Sequence, residues 1–519
     1  MASWRINSSD ATAPGIPESP PSVSQRRLPV PTDSSPNAGP LSRLLGGSIR
    51  GRLASTNARR PGLVDVPRKE DAAPLQARVS QVRTPRQFDE LLQQIEPIED
   101  APSRRILLTS LSKRIRELPE SKRSRAFDSI AAQIELLPPD HRAQPLEELT
   151  YAIGGLPNGK QPSAAHRVFG QIEPLPAEQR SWPLEALSRH IGLLPAGKRQ
   201  QTFDSVFAQV EQLPPGHRGS PLAALAREIR SLPVAHRLTA FTRALDQVEQ
   251  LPFENRSEPL DALARAIGHL VQATDADRLT AFGRVAHHAI QLPLTHRGEP
   301  LAGLAAGIDE SMPVTARLPM FERIYAQAEP LSAESRSRLL DALAFAIRAL
   351  PEAERSAAFD RISGAVEHLP AEYRREPLKA LAHTIEQLPD SERIPAFNRL
   401  ADQPERLSTK DHGRLLGTLM RKIVLLPDAG HQPAFDRVFD QIARLPAEDR
   451  IRPLTALADE LERFPHAELA RQILDLARRL PPEYRGRPLA AFARTVQYLP
   501  IDAQRAARIQ LAKLRRATT

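Results

Sequence analysis

A Leu-Pro pair returns every nineteen residues along most of this chain. Its prolines stand at Pro119, Pro138, Pro157, Pro176, Pro195, Pro214, Pro233 and Pro252 without a slip, and the same beat resumes at Pro351, Pro370, Pro389, Pro427, Pro446 and Pro465. A fixed period of this length marks a chain made by repeating one supersecondary unit. Counted from the proline, apolar residues fall at +8, +11, +15 and +18, as in Leu146, Leu149, Ile153 and Leu156. That spacing is one stripe of a helix; a strand would need a period of two. Each unit therefore reads as a helix of about twelve residues closed by Leu-Pro, the proline barring its extension.

Units alternate in kind. One carries phenylalanine at +8 (Phe127, Phe203, Phe241, Phe321, Phe359, Phe397, Phe435), and the other carries Pro-Leu at +7 and +8, as in Pro145-Leu146, Pro221-Leu222 and Pro377-Leu378. Proline at a first helical position costs little, because that N–H has no partner there. The true repeat is thus two helices in thirty-eight residues. Helices of about twelve residues are marginal alone, so each pair must rest on its neighbours. The expected fold is all-α: a solenoid of about eleven such repeats over 85–519, with a path on the order of 100 Å at ordinary helix spacings and a long groove. The beat slips near 271–274, at 404–408, where Pro404 takes a buried place, and at 465–481. These are candidate bends.

Charge is distributed unevenly. Residues 1–84 hold 12 Lys+Arg against 6 Asp+Glu and residues 501–519 hold 5 against 1, which leaves about −1 on 85–500 of the chain's +9. The rod is neutral and the basicity belongs to the ends, which disfavours nucleic acid as the ligand of the rod. Residues 1–84 are rich in Ser, Pro and Arg without sustained periodicity and read as a disordered leader. A conventional signal peptide is not expected, although the basic stretch 41–53 has some character of an organelle transit segment. The last stretch, 501–519, reads as a capping helix with a basic outer face. There is no cysteine, which removes disulfides, cysteine-ligated zinc and cysteine nucleophiles. No apolar run is long enough to span a membrane.

Three polar columns repeat with the beat. Arginine at +4 includes Arg142, Arg180, Arg218, Arg256, Arg297, Arg336 and Arg374 in the Pro-Leu units. Such a ladder suits an acidic partner or phosphates; it equally suits tying each turn to carbonyls or to the glutamates at +16. Glutamine at +14 is expected to bridge neighbouring repeats through its amide. The histidines at +3, His141, His217, His236 and His296, are repeats apart and cannot share one metal. No phosphate-cradling Gly-rich loop, metalloprotease HExxH, nucleophile elbow or clustered acidic motif is present. Neither an enzyme nor a cofactor site is expected. A protein-interaction scaffold leads, with a nucleic-acid-binding helical-repeat protein as the alternative; salt titration of DNA binding after removal of both basic ends separates them.

A Ser/Pro/Arg-rich leader joined to a cysteine-free array of short helical repeats resembles the repeat-containing type III secreted effectors of plant-pathogenic bacteria, which have HEAT- or armadillo-like solenoids. The resemblance implies export through the injection apparatus by the leader, with a secretion chaperone there, and delivery to the host cytoplasm or nucleus. It further implies virulence through binding of host proteins. Contacts confined to near neighbours in sequence also predict fast refolding after an extended chain has passed a narrow channel.

Overall fold

The computed structural model describes residues 72–403 and 407–516; residues 1–71, with the stretch 41–53, and residues 404–406 and 517–519 lie outside the described residues. By contact the chain divides into two units, Met1–Val64 and Asp65–Thr519, and the described residues all belong to the second. Within them the regular structure is wholly helical: 24 α-helices, many flanked by single 3-10 turns. Between the first, Ala72–Val79, and the last, Ile501–Arg516, eleven pairs follow one another.

The apolar stripe forms the core as its period demands. Leu146, Leu149 and Ile153 are completely buried, and so, within 2%, are Phe127, Phe203, Phe241, Phe282, Phe321, Phe359 and Phe397. Each such side chain contributes roughly 1.5–3 kcal/mol when withdrawn from water. The two kinds of helix form two layers. Pro-Leu helices pack closely on one another from repeat to repeat, while the Phe-bearing helices stand further apart. Small residues allow the close layer: Ala224, Ala226, Ala262 and Ala264 are buried there, and a Cβ on Gly303 would lie 2.6 Å from Asp261 Oδ1.

The helix starts differ from the sequence expectation. Pro145 is the third residue of the helix Ala143–Ala152, which follows a 3-10 turn, Pro139–His141. Later repeats fuse turn and helix, so that Pro300 lies inside Leu294–Ala306 and Pro377 inside Ala371–Thr384. A proline so placed leaves the carbonyl four residues earlier without its helical donor. The preceding repeat supplies one. Ser257 Oγ donates to the His296 carbonyl at 2.8 Å, Ser337 Oγ to that of Tyr373 at 2.6 Å and Ser181 Oγ to that of His217 at 2.8 Å.

Four places where the beat begins or slips also become concrete. Helix Ala72–Val79 lies within the stretch read as leader, with Val79 and Val82 buried; eight residues are too few to display a helical period. At 271–274 the Leu-Pro closure is replaced by a capping box. The Thr274 N–H donates to Asp277 Oδ2 at 3.0 Å, and the Asp277 N–H donates to Thr274 Oγ1 at 3.1 Å. Helix Asp390–Ala401 stops ahead of Pro404, and Ser408 caps the next, Thr409–Met420. Across this place the Pro-Leu layer is at its loosest, between Ala371–Thr384 and Thr409–Met420. Near 465–481 the short helix Ala467–Arg478 still buries Leu469, Ile473 and Leu474, and the Pro-Leu layer packs closely past it.

Candidate functional site

The arginine ladder is built into the turns. In each Pro-Leu unit the chain reverses after a leucine whose carbonyl has left the helix, and the arginine five residues on folds back onto it. Nε donates to that carbonyl from Arg142 to Leu137 at 2.6 Å, Arg180 to Leu175 at 2.7 Å, Arg218 to Leu213 at 2.6 Å, Arg256 to Leu251 at 2.7 Å, Arg297 to Leu292 at 3.2 Å and Arg374 to Leu369 at 2.6 Å. Arg336 reaches the Ala328 carbonyl instead, at 3.1 Å. All seven are half-buried. In the Phe units the same position also crosses to the next repeat: Arg199 Nη1 donates to the Ser231 carbonyl at 3.1 Å and Arg355 Nη1 to that of Gln387 at 2.8 Å.

The +14 glutamines bridge repeats, some as acceptors and others as donors. Gln209 and Gln247 accept from Arg180 and Arg218 at 3.2 and 3.0 Å, and Gln171 Nε2 donates to the Ala131 carbonyl at 3.1 Å. The +16 glutamates meet the ladder through their main chain, as where Arg142 Nη2 donates to the Glu135 carbonyl at 2.8 Å. Their carboxylates turn outward to arginines one repeat on. Arg243 and Glu211 lie 2.6 Å apart, Arg284 and Glu249 2.5 Å. Similar pairs cross repeats on the Phe layer, from Arg167–Asp128 to Arg437–Asp402. Among the described residues no three His, Asp or Glu side chains gather as metal ligands, and no helix is long and apolar enough to cross a membrane.

The open face of the Pro-Leu layer is formed by the positions +6 and +13, none of them buried, and by +9, which is buried only where the residue is small, as at Ala223, Ala302 and Gly417. A groove of about 740 Å³ runs past the starts of five successive Pro-Leu helices, from Trp182 through His217, Asn255 and His296 to Arg338. A second, of about 710 Å³, lies between Arg227, Asp261, Asp341 and Phe345. Trp182 is 61% exposed and Phe345 43%, both large side chains aimed away from the core. Burial pushes the Asp261 carboxyl up, which Arg265 opposes; burial and the neighbouring Glu376 push Asp341 up. The positions +6, +9 and +13 were legible as non-core, but nothing in their pattern marked them as a surface. Sequence reasoning also missed His190. Its ring is buried, Nδ1 lies 2.8 Å from the Ala186 carbonyl, and burial holds its pKa below the usual histidine range.

No family model matches this sequence, and no curated protein matches it. Solved structures match in fold. Importin beta aligns over 85% of this chain and 62% of its own length, with a TM-score of 0.52 and 14% identity. Yeast importin-beta (Kap95p) aligns over 85% and 59%, with a TM-score of 0.50 and 15% identity. A Kap121p mutant aligns over 86% and 54%, with a TM-score of 0.50 and 12% identity. The chain thus spans a little over half the length of each. At such identities the likeness is one of fold, the HEAT/armadillo-like helical solenoid.

Proposed function

We propose that this protein is a protein-interaction scaffold that takes up a partner segment along the open face of its Pro-Leu layer. The observation that carries this reading is the pairing of a long groove with exposed Trp182 and Phe345 on a face whose backbone is held rigid from behind. Aromatic side chains beside a groove are the usual anchors of protein interfaces. The arginines from Arg142 to Arg374 act as the frame that keeps the face in register, touching a partner only with N–H groups the turns leave over. The test is capture from host-cell extract with partners identified by mass spectrometry. Trp182→Ala/Phe345→Ala is expected to lose partners that wild type retains, with its circular dichroism unchanged; equal capture by both proteins overturns the reading.

The scaffold is further proposed to be a secreted virulence effector that binds host proteins in the host cytoplasm or nucleus, exported by its leader with the help of a secretion chaperone. The composition of residues 1–84 supports this, as does a rod whose contacts are local enough to re-form quickly after threading. A reporter fused to residues 1–84 is expected to enter host cells from an injection-competent bacterium and not from an injection-deficient one. Entry from both, or from neither, sinks the proposal.

A further inference from the structure

The open face changes character at the loosened seam. Up to Phe345 every arginine on it has a carboxylate: Arg227 pairs with Glu258 at 3.1 Å, Arg265 with Asp261 at 3.0 Å, Arg338 with Glu299 at 3.1 Å, and Arg189 with Glu185. From residue 376 onward the same positions hold Lys379, Arg414, Arg421, Arg452, Arg487 and Arg494 against only Glu376 and Asp459. Lys379 reaches Glu376 at 3.6 Å, Arg414 reaches Asp411 at 3.2 Å and Arg494 reaches Asp459 at 2.9 Å. Arg421, Arg452 and Arg487 are exposed and have no carboxylate at ion-pair distance among the described residues. Glu460, whose carboxyl feels Arg421 less than Arg463, is buried and already bonded by Arg463 at 3.5 Å. Arg421 and Arg452 converge with Arg375, Lys379 and Arg414 on one depression of about 290 Å³, whose one carboxylate, Glu376, accepts from Arg375 at 2.8 Å.

Cations left unpaired on a fold that pairs the corresponding ones elsewhere repel one another in the free protein and are relieved by an anion. Successive repeats carry them about 10 Å apart, which suits an extended chain with repeated negative side chains better than one small anion. We infer that the strip from Lys379 to Arg487 is a docking site for an acidic peptide segment, rich in Asp and Glu, of a protein partner. This rests on the scaffold reading and adds its charge class and its place.

The test is fluorescence anisotropy of a fluorescein-labelled ten-residue polyglutamate with the full chain at low salt. Arg421→Glu/Arg452→Glu is expected to weaken binding roughly tenfold, with Arg421→Gln/Arg452→Gln between it and wild type. Arg230→Glu/Arg348→Glu, at exposed positions off the open face, alters net charge equally and is expected to change binding less than about twofold, which separates the strip from the basic ends of the chain. Equal losses in the two Glu pairs overturn the inference, because only net charge then matters. Competition by a single-stranded oligonucleotide or phosphatidylserine vesicles, at matched charge and as strong as by unlabelled polyglutamate, overturns it in favour of nucleic acid or membrane. Should polyglutamate fail to bind while partner capture still depends on Trp182 and Phe345, the scaffold stands and the acidic ligand alone falls. Should polyglutamate bind at the strip while that capture is unaffected, the strip stands and the aromatic groove falls.

Discussion

The Pro-Leu layer before residue 384 and the same layer after residue 409 share a helix type, a core and a turn, yet differ in two respects. The first stretch packs closely and balances each arginine at +6 and +13 with an acid; the second begins across the loosest contact of the layer and leaves Arg421, Arg452 and Arg487 unbalanced. The core positions cannot vary without loss of stacking, so they look alike throughout. Positions +6 and +13 are nowhere buried and diverge freely, while +9 alternates between buried small residues such as Ala223 and Ala302 and charged ones such as Asp261 and Lys379. In a solenoid, difference between repeats therefore says more about binding than the repeated pattern does.

The difference in packing is open to the strongest perturbation. A Cβ on Gly219 would meet the Asn255 carbonyl oxygen at 2.9 Å, and one on Gly413 would meet that of Asp449 at 2.6 Å. Neither obstacle is a side chain that can swing away. Gly219→Val and Gly413→Val are each expected to cost about 2–3 kcal/mol. Because repeats are stabilised by nearest neighbours, Gly413→Val should melt the stretch beyond the seam first and split the denaturant transition in two, whereas Gly219→Val should lower the main transition. One unsplit transition in both variants would remove the seam as an energetic boundary.

A somewhat smaller effect compares the two stretches turn for turn. Arg218 ties its turn to Leu213 and also reaches Gln247 of the next repeat at 3.0 Å, while Arg450, among the described residues, has only the bond to Leu445, at 2.6 Å. Arg218→Ala is expected to cost about 2 kcal/mol and Arg450→Ala about 1 kcal/mol, since a hydrogen bond from a charged donor is worth roughly 1.5–3 kcal/mol at best and half-exposure reduces it. Equal losses by urea unfolding would mean that the cross-repeat bond adds nothing.

The layers were legible in the sequence because core burial follows helical period, and Leu146, Leu149 and Ile153 sit where that period puts them. The cap at Thr274 was not read, although Thr274 and Asp277 stand three apart as a capping box requires. Less accessible was the use made of each proline. A carbonyl freed at His296 matters only because Ser257, thirty-nine residues earlier, lies opposite it. The signal was present as a run of small residues at +5, Ala143, Ser181, Gly219, Ser257, Gly298 and Ser337, and its meaning requires knowing which helices touch. The glutamates at +16 were rightly set beside the +4 arginines, but it is their carbonyls that accept, since the carboxylates are drawn to a different row. Charge at +6, +9 and +13 follows no period, unlike the columns at +4 and +16, so the uneven face could be seen only after the rows had been placed in space.

Acidification should act on the first stretch through His190. A histidine held neutral by burial has a folded pKa below its unfolded one, so its contribution is present above the unfolded value, near 6.5, and is lost as pH falls through the folded value. His269 and His383 are lowered in the same way by burial, and they too precede the seam. Lowering pH from 7 to 5 is expected to weaken the first stretch, and His190→Gln to reduce the slope there. An unchanged slope in His190→Gln, measured by urea midpoints across that range, would show that the ring is not the titrating group.

The smallest effects carry the sharpest comparison, because their signs differ. Arg227→Glu/Arg265→Glu breaks two ion pairs and sets like charges beside Glu258 and Asp261; a loss of about 0.5–1 kcal/mol is expected, shrinking with salt. Arg421→Glu/Arg452→Glu breaks no ion pair and places carboxylates near Lys379 and Arg414 in the same depression. It is therefore expected to leave stability unchanged or raise it by up to about 0.5 kcal/mol at low salt. A protein surface under selection for stability alone would keep the second arrangement no longer than the first, so a gain in stability that comes with loss of polyglutamate binding is the combination a binding strip requires. If both pairs destabilise by the same amount at low salt, the arginines beyond the seam are compensated after all, and the contrast between the two stretches is one of packing only.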